Sequence, residues 1–386
     1  MEAGERTARI VELDGVRGMA ALLVVYCHLF LMWVPASPAP VFWLRTLSGL
    51  SWTGVHLFFI LSGYLIGGIL LRQRSSANYF SAFYIRRAFR ILPLYFFVLA
   101  VFFFVRHFGA SLGDAVFASG KIPLWSYPLL VQNFPMAATC DWGPPPLSVT
   151  WSVALEEQFY LLLPLLIRAL PERFQFRTFA FIAASGLAFR FFLPVCHAPF
   201  LLPGSFEPLF GGVLLAWASL HFPLSFRSKN CRLASLAIFS LSAIGMAGIA
   251  TGKLQPGAAD VSVFTLFWGT FLWLVIANIG SPLTAPLRWK PMRWIGGISY
   301  GVYLFHPVVY DFLFVKILGT LPSHDAGTPG ILLSCAAFAL TLALAAASFY
   351  FVERKLIAIG HRYRYRPGTA ARSAQGPARS LSAIPP

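Results

Sequence analysis

Acidic and basic side chains are scarce in this chain. Asp, Glu, Lys and Arg together make up 11% of 386 residues, against 58% hydrophobic ones. An average soluble domain carries about 25% charge, so a water-soluble fold is excluded. Cysteine is scarce too: Cys27, Cys140, Cys196, Cys231 and Cys335 show no CxxC spacing, and no zinc or other metal site is expected. No internal repeat appears. The first apolar segment is too long for a cleavable signal peptide and has no small-residue cleavage site. What the chain has in abundance is apolar length, with 38 Phe and 11 Trp among it.

Apolar runs of about 17–25 residues are long enough to span a bilayer as helices. The sequence offers ten: 14–34, 50–71, 91–106, 148–167, 178–195, 204–220, 233–251, 261–280, 294–317 and 329–352. The fold class expected is therefore an all-α polytopic membrane protein of about ten transmembrane helices. Pro93, Pro164 and Pro307 lie within these runs and are expected to bend them.

Basic residues set the orientation. With ten crossings and the N-terminus inside, the outer side keeps only Arg45, Arg106, Lys121, Arg190, Lys253 and Lys316. The inner side gathers clusters such as Arg72, Arg74 and Arg86, then Arg168, Arg173 and Arg177, and everything basic from Arg354 to Arg379. One span more or fewer would reverse the later loops, so both termini are expected in the cytoplasm. The net charge of +16 is thereby explained by topology and attraction to lipid headgroups, and nucleic acid is not an expected partner. Cys140 and Cys196 both fall outside, where a disulfide between them is compatible with the compartment. The outer loop 107–147 contains IPLWSYPLL, too short to span and expected to be an interfacial or re-entrant piece. Residues 1–366 read as one membrane domain. The tail from 367 to 386 is rich in Pro, Ala, Ser and Arg and is expected to be disordered in the cytoplasm.

Ionisable residues at membrane depth are costly and mark function by default. In LDGVRGMAALLVVYCH, eleven residues separate Arg17 from His28, about three turns or 16 Å, which puts both on nearly one helical face. Asp14 stands three residues before Arg17 and is placed to pair with it. His28 lies near mid-membrane, where low dielectric favours the uncharged imidazole that a general base requires; a structural histidine bonded to a neighbouring helix is the competing reading. In FYIRRAFRILPLYF, Arg87 and Arg90 are one turn apart on one face, suited to phosphate oxygens by their planar forks, with positive-inside anchoring as the competing reading; Arg86 lies on another face and reads as an anchor.

Glu156 and Glu157 sit inside WSVALEEQFYLLLP, about 100° apart around the helix, so they cannot face one partner. One is expected to orient the histidine or share its proton, the other to pair with an arginine. Around His56, the small residues Ser62, Gly63, Gly67 and Gly68 favour close helix approach; His56 itself is a candidate for meeting substrate near the outer end. His306, before Pro307, is either a second functional histidine or a structural one.

Together these segments resemble the acyltransferase-3 family of integral-membrane O-acyltransferases. The matching stretches run in order: LDGVRGMAALLVVYCH, GVHLFFILSGYLI, the Arg87–Arg90 pair, WSVALEEQFYLLLP, ISYGVYLFHP and SFYFVERK, covering residues 12–355. The resemblance implies transfer of an acyl group, usually acetyl, from cytoplasmic acyl-CoA to a hydroxyl of an extracytoplasmic glycan or lipid-linked sugar. It implies a multi-pass protein of the bacterial inner membrane, with membrane lipids, acyl-CoA and the glycan as partners. Acyl-CoA is then a co-substrate, and no bound cofactor is expected. By motif, His28, Glu156 and Glu157 take the catalytic positions, Arg17, Arg87 and Arg90 the acyl-CoA-binding ones, with His56 and His306 as acceptor-side candidates. Some relatives add a soluble transferase domain after the membrane part; none follows in this sequence, so direct transfer or handover to a separate protein is expected. The rival expectation is a transporter or flippase using the same buried polar groups, although such proteins often show the internal repeats missing here.

Overall fold

The computed structural model describes residues 10–33, 45–46, 48–108, 120–193, 196–223, 228–255, 257–323 and 327–368. Among these residues every regular element is a helix, with no strand. In chain order the helices are α1 Val11–Leu29, α2 Gly54–Arg72, α3 Tyr79–Phe108, the short α4 Asn133–Thr139, α5 Thr150–Ala169 and α6 Glu172–Phe192. They continue with α7 Phe206–His221, α8 Lys229–Ala250, α9 Asp260–Ala277, α10 Lys290–Leu318, α11 Gly327–Ser348 and α12 Arg354–His361. Each of the ten apolar runs lands on one of them.

Six helical segments are long and apolar enough to cross a membrane on those grounds alone: Gly49–Arg72, Tyr79–Phe108, Lys229–Ala250, Asp260–Ala277, Lys290–Leu318 and Gly327–His361. Others are more charged, such as α1 with Glu12, Asp14 and Arg17 in its first two turns. The helix expected from 91 starts twelve residues earlier, at Tyr79. The extension is aromatic and then basic, YFSAFYIRRAFR, and it is tied to the segment after α12: Asn78 Nδ2 donates to the Arg364 carbonyl at 2.9 Å and Arg86 Nε to the Tyr363 carbonyl at 2.9 Å. Hydropathy alone does not register that extension. Of the tail expected to be disordered, 369–386 lies outside the described residues.

Two glycine-lined crossings set the centre of the bundle. A Cβ at Gly296 of α10 would collide with the Asp14 carbonyl of α1, and one at Gly18 with the Met292 carbonyl. Likewise, Gly63 of α2 rests on the Leu209 carbonyl of α7, and Gly212 on the Ile60 carbonyl. Small residues thus let these backbones approach directly, as van der Waals packing between helices in lipid requires. The outer helix α8 is the opposite case: Leu233, Leu236, Leu241 and Ile244 are exposed, as a lipid-facing surface must be.

Arg190, counted in the sequence as an outer basic residue, is buried at the end of α6. It donates to the Gly204 and Ala258 carbonyls at 2.8 Å each and pairs with Glu207, which also accepts from Ser262 Oγ at 2.9 Å. This network ties α6, α7 and α9 together. Cys140 and Cys196 form a disulfide across a Cα separation of 5.5 Å, fastening the loop after α4 to the segment after α6. Beside it, Asp141 accepts N–H bonds from Lys121 at 2.9 Å and Gly143 at 2.8 Å, which hold its carboxyl below the usual aspartate range.

Candidate active site

The glycine crossing of α1 on α10 brings Arg17 beside the middle of the bundle. As the three-residue spacing predicts, its guanidinium meets Asp14 at 3.2 Å. Arg87 and Arg90 approach from α3, Glu156 and Tyr160 from α5, and Ser62 from α2. All six line one cavity of about 840 Å³, whose further wall includes Ser152, Tyr300 and Tyr303.

The polar atoms of this cavity are unevenly satisfied. Glu156 Oε2 accepts from the Tyr160 hydroxyl at 3.1 Å, and Tyr160 shares a hydrogen bond with Ser62 Oγ at 2.5 Å. Arg87 stacks over the Tyr160 ring, its Cζ 5.3 Å from the centroid. Among the described residues neither Arg87 nor Arg90 has an ion-pair or hydrogen-bond partner. With Arg17 matched by Asp14, two guanidiniums face one carboxylate, Glu156. An arginine held at membrane depth costs about 2.5–3.5 kcal/mol, so the surplus cation fits a site that an anion completes.

Glu157 points away, as adjacent helical positions must. It does not line the cavity, and its Oε1 is buried without a partner among the described residues.

His28 lies beyond this cavity and forms a second group with His306, the ring centroids 5.0 Å apart. His28 Nδ1 is 2.8 Å from the Val24 carbonyl one turn back. A carbonyl only accepts, so Nδ1 carries the proton and Nε2 keeps a lone pair. The expected carboxylate behind His28 is thus replaced by its own helix, and Glu156 is held by Tyr160 at the i+4 position instead. His306 repeats the pattern: Nδ1 faces the Val302 carbonyl at 3.2 Å, and the buried Nε2 has no partner among the described residues. The exposed His28 ring leaves the pair open on one side.

Tyr303 joins the two groups. Its ring is 5.8 Å from that of His306. Its hydroxyl donates to the Val149 carbonyl at 3.1 Å and lies 2.6 Å from Ser152 Oγ on the cavity wall. His56 belongs to neither group. It is buried between Trp52 and Phe264, each ring 5.3 Å away.

Ser152, Tyr160 and Tyr303 escaped the sequence reading. Tyr160 stands one turn after Glu156 and Tyr303 three residues before His306, so helical spacing from the ionisable residues would have found both. On the outer side, Cys140, Cys196 and His197 cluster with their ligand atoms within 4.8 Å, but the two sulfurs are spent on each other.

Against known proteins, a family model described as an acyltransferase domain matches residues 10–350. The chain is 29% identical over 379 residues to a putative peptidoglycan O-acetyltransferase, YrhL, of Bacillus subtilis, covering 91% of this chain and 55% of that protein. It is 26% identical over 367 residues to the peptidoglycan O-acetyltransferase OatA of Listeria monocytogenes, covering 89% and 55%. To the O-acetyltransferase OatA of Staphylococcus aureus it is 28% identical over 344 residues, covering 81% and 52%. The chain therefore spans about half the length of these curated relatives. No solved structure matches.

Proposed function

The chain belongs to the acyltransferase-domain family, and on that premise we propose that it moves an acetyl group from cytoplasmic acyl-CoA to a hydroxyl of an extracytoplasmic glycan. The acceptor class follows the relatives, which are named for peptidoglycan O-acetylation. The observation that carries the reading is a pair of guanidiniums, Arg87 and Arg90, that among the described residues have no ion-pair or hydrogen-bond partner and line one cavity with Arg17 and Glu156.

In this mechanism Arg87 and Arg90 hold the anionic phosphates of acyl-CoA, and the pantetheine arm extends past Tyr303 toward His28. His28 Nε2 then acts in one of two ways, between which the arrangement does not choose. As a general base it takes the proton of the acceptor hydroxyl while that oxygen attacks the thioester carbonyl. The C–S bond breaks, and the proton passes to the departing CoA thiolate. As a nucleophile it attacks the carbonyl itself, the C–S bond breaks and CoA leaves as the thiolate; the acceptor oxygen then takes the acyl group from Nε2, and the proton that the hydroxyl loses balances the thiolate. The Val24 carbonyl fixes the tautomer in either case. Glu156 keeps the arginine cavity from accumulating full positive charge when it is empty.

The proposal includes ten crossings with both termini cytoplasmic, in a bacterial inner membrane. The Cys140–Cys196 disulfide supports that sidedness, because disulfides persist in oxidising compartments. The test is titration of acetyl-CoA into the detergent-solubilised protein. Arg87→Ala and Arg90→Ala are each expected to weaken binding about 10–100-fold, the worth of a charge-assisted hydrogen bond. Unchanged affinity in both would remove the phosphate role.

A further inference from the structure

On the other side of Arg90 lies a second cavity of about 1410 Å³, bounded by α3, α10, the end of α11 and the start of α12. Its walls are apolar except at one end. Phe89, Pro93, Phe97 and Val101 recur every four residues along α3, a stripe of about 18 Å on one face. Leu344 and Phe351 stand among the lining residues contributed by the α11 side. Phe97, Leu344 and Phe351 are exposed, so the cavity opens sideways, where hydrocarbon surrounds the bundle.

The polar end holds Arg90, Ser348 and Glu353. Between α11 and α12 the chain makes a π turn, Phe349–Glu353. Such a turn brings side chains five residues apart over one another, and Ser348 Oγ donates to Glu353 Oε1 at 2.7 Å. Glu353 is buried, yet among the described residues it forms no ion pair with Arg90, although both line the same space. Opposite charges left unjoined across a cavity are complementary to a ligand that brings both signs, an anionic oxygen for the guanidinium and an N–H cation for the carboxylate.

We propose that this cavity is a binding site for an ethanolamine phospholipid, with phosphate at Arg90, ammonium at Glu353 and one acyl chain along the α3 stripe. A lipid with phosphate alone would leave the buried Glu353 carboxylate facing like charge. A long-chain acyl thioester would offer it no cation. Arg90 has five N–H donors, enough to serve a lipid phosphate on this side while facing the first cavity on the other. The lipid and the acyl-CoA readings share Arg90, so the lipid reading is tested at Glu353 and Ala347, which line this cavity alone.

The test uses the full-length protein reconstituted in nanodiscs of equimolar phosphatidylethanolamine and phosphatidylglycerol, with retained lipid identified by native mass spectrometry. Wild type is expected to retain phosphatidylethanolamine in about tenfold preference. Glu353→Gln should erase the preference while lipid is still retained. Ala347→Trp, which fills the cavity, should lose the lipid. If that variant does not fold, Leu344→Trp at an exposed wall position takes its place. Equal retention of both lipids by wild type, persistent retention after the cavity is filled, or stoichiometric displacement by palmitoyl-CoA would each overturn the proposal.

Discussion

The arginine cavity and the histidine pair share two helices, α1 and α10, yet they satisfy their polar atoms in opposite ways. Arg17 and His28 both come from α1, and Tyr303 and His306 both come from α10. In the cavity, Arg87 and Arg90 of α3 join Arg17 around Glu156 of α5 and leave cationic surplus there. In the pair, two imidazoles each bind the carbonyl one turn back and present unused Nε2 atoms. The first arrangement suits holding a polyanion, the second moving a proton or an acyl group. Under the proposed function, binding and chemistry are separated by depth along a helix pair, with Tyr303 between the two.

If that division is right, mutations should separate affinity from turnover. The largest effect is expected from His28→Ala: turnover falls about 10²–10⁴-fold, while acetyl-CoA affinity and membrane insertion stay at wild-type values. Near-wild-type turnover would end the assignment of His28. Next, loss of the disulfide through Cys140→Ser should cost about 2–5 kcal/mol of stability, measured by thermal unfolding in detergent, with acetyl-CoA affinity in the folded fraction unchanged. An affinity loss would mean that the outer loops help shape the arginine cavity.

Tyr160→Phe removes the hydroxyl shared by Glu156 and Ser62. A net hydrogen bond is worth about 1 kcal/mol, so the Michaelis constant for acetyl-CoA should rise about fivefold with turnover little altered. A change confined to turnover would move Tyr160 to the chemical half. The smallest effect belongs to Asp141→Asn. The carboxyl lies below its ordinary value of 3.8 because Lys121 and Gly143 donate to it. Its contribution is present above that value and is lost as pH falls through the folded-state value. The variant's melting-temperature deficit should therefore be visible at neutral pH and vanish in acid; a deficit independent of pH would contradict this.

Much of this division was legible in the sequence because it depends on spacing along single helices. The apolar runs mark the helices, the three-residue step predicts Asp14–Arg17, the one-turn step sets Arg87 beside Arg90, and Gly63 announces a close crossing. What the spacing does not carry is which face of one helix meets which face of another. Arg190 finds Glu207 across a turn of chain, Tyr303 meets Ser152 from 151 residues away, and His56 is enclosed by Phe264 of α9. His28 is the instructive case. A catalytic template suggested a carboxylate behind the imidazole, whereas the helix supplies its own carbonyl at i−4.

The most direct measurement of the whole account is a sided assay. The protein is oriented in sealed liposomes, with acetyl-labelled acetyl-CoA on the side of its basic loops and a peptidoglycan fragment enclosed on the other. The account predicts labelled O-acetyl groups on the enclosed glycan and free CoA released only on the donor side. Label crossing as intact acetyl-CoA, or a glycan moved without release of CoA, would contradict it.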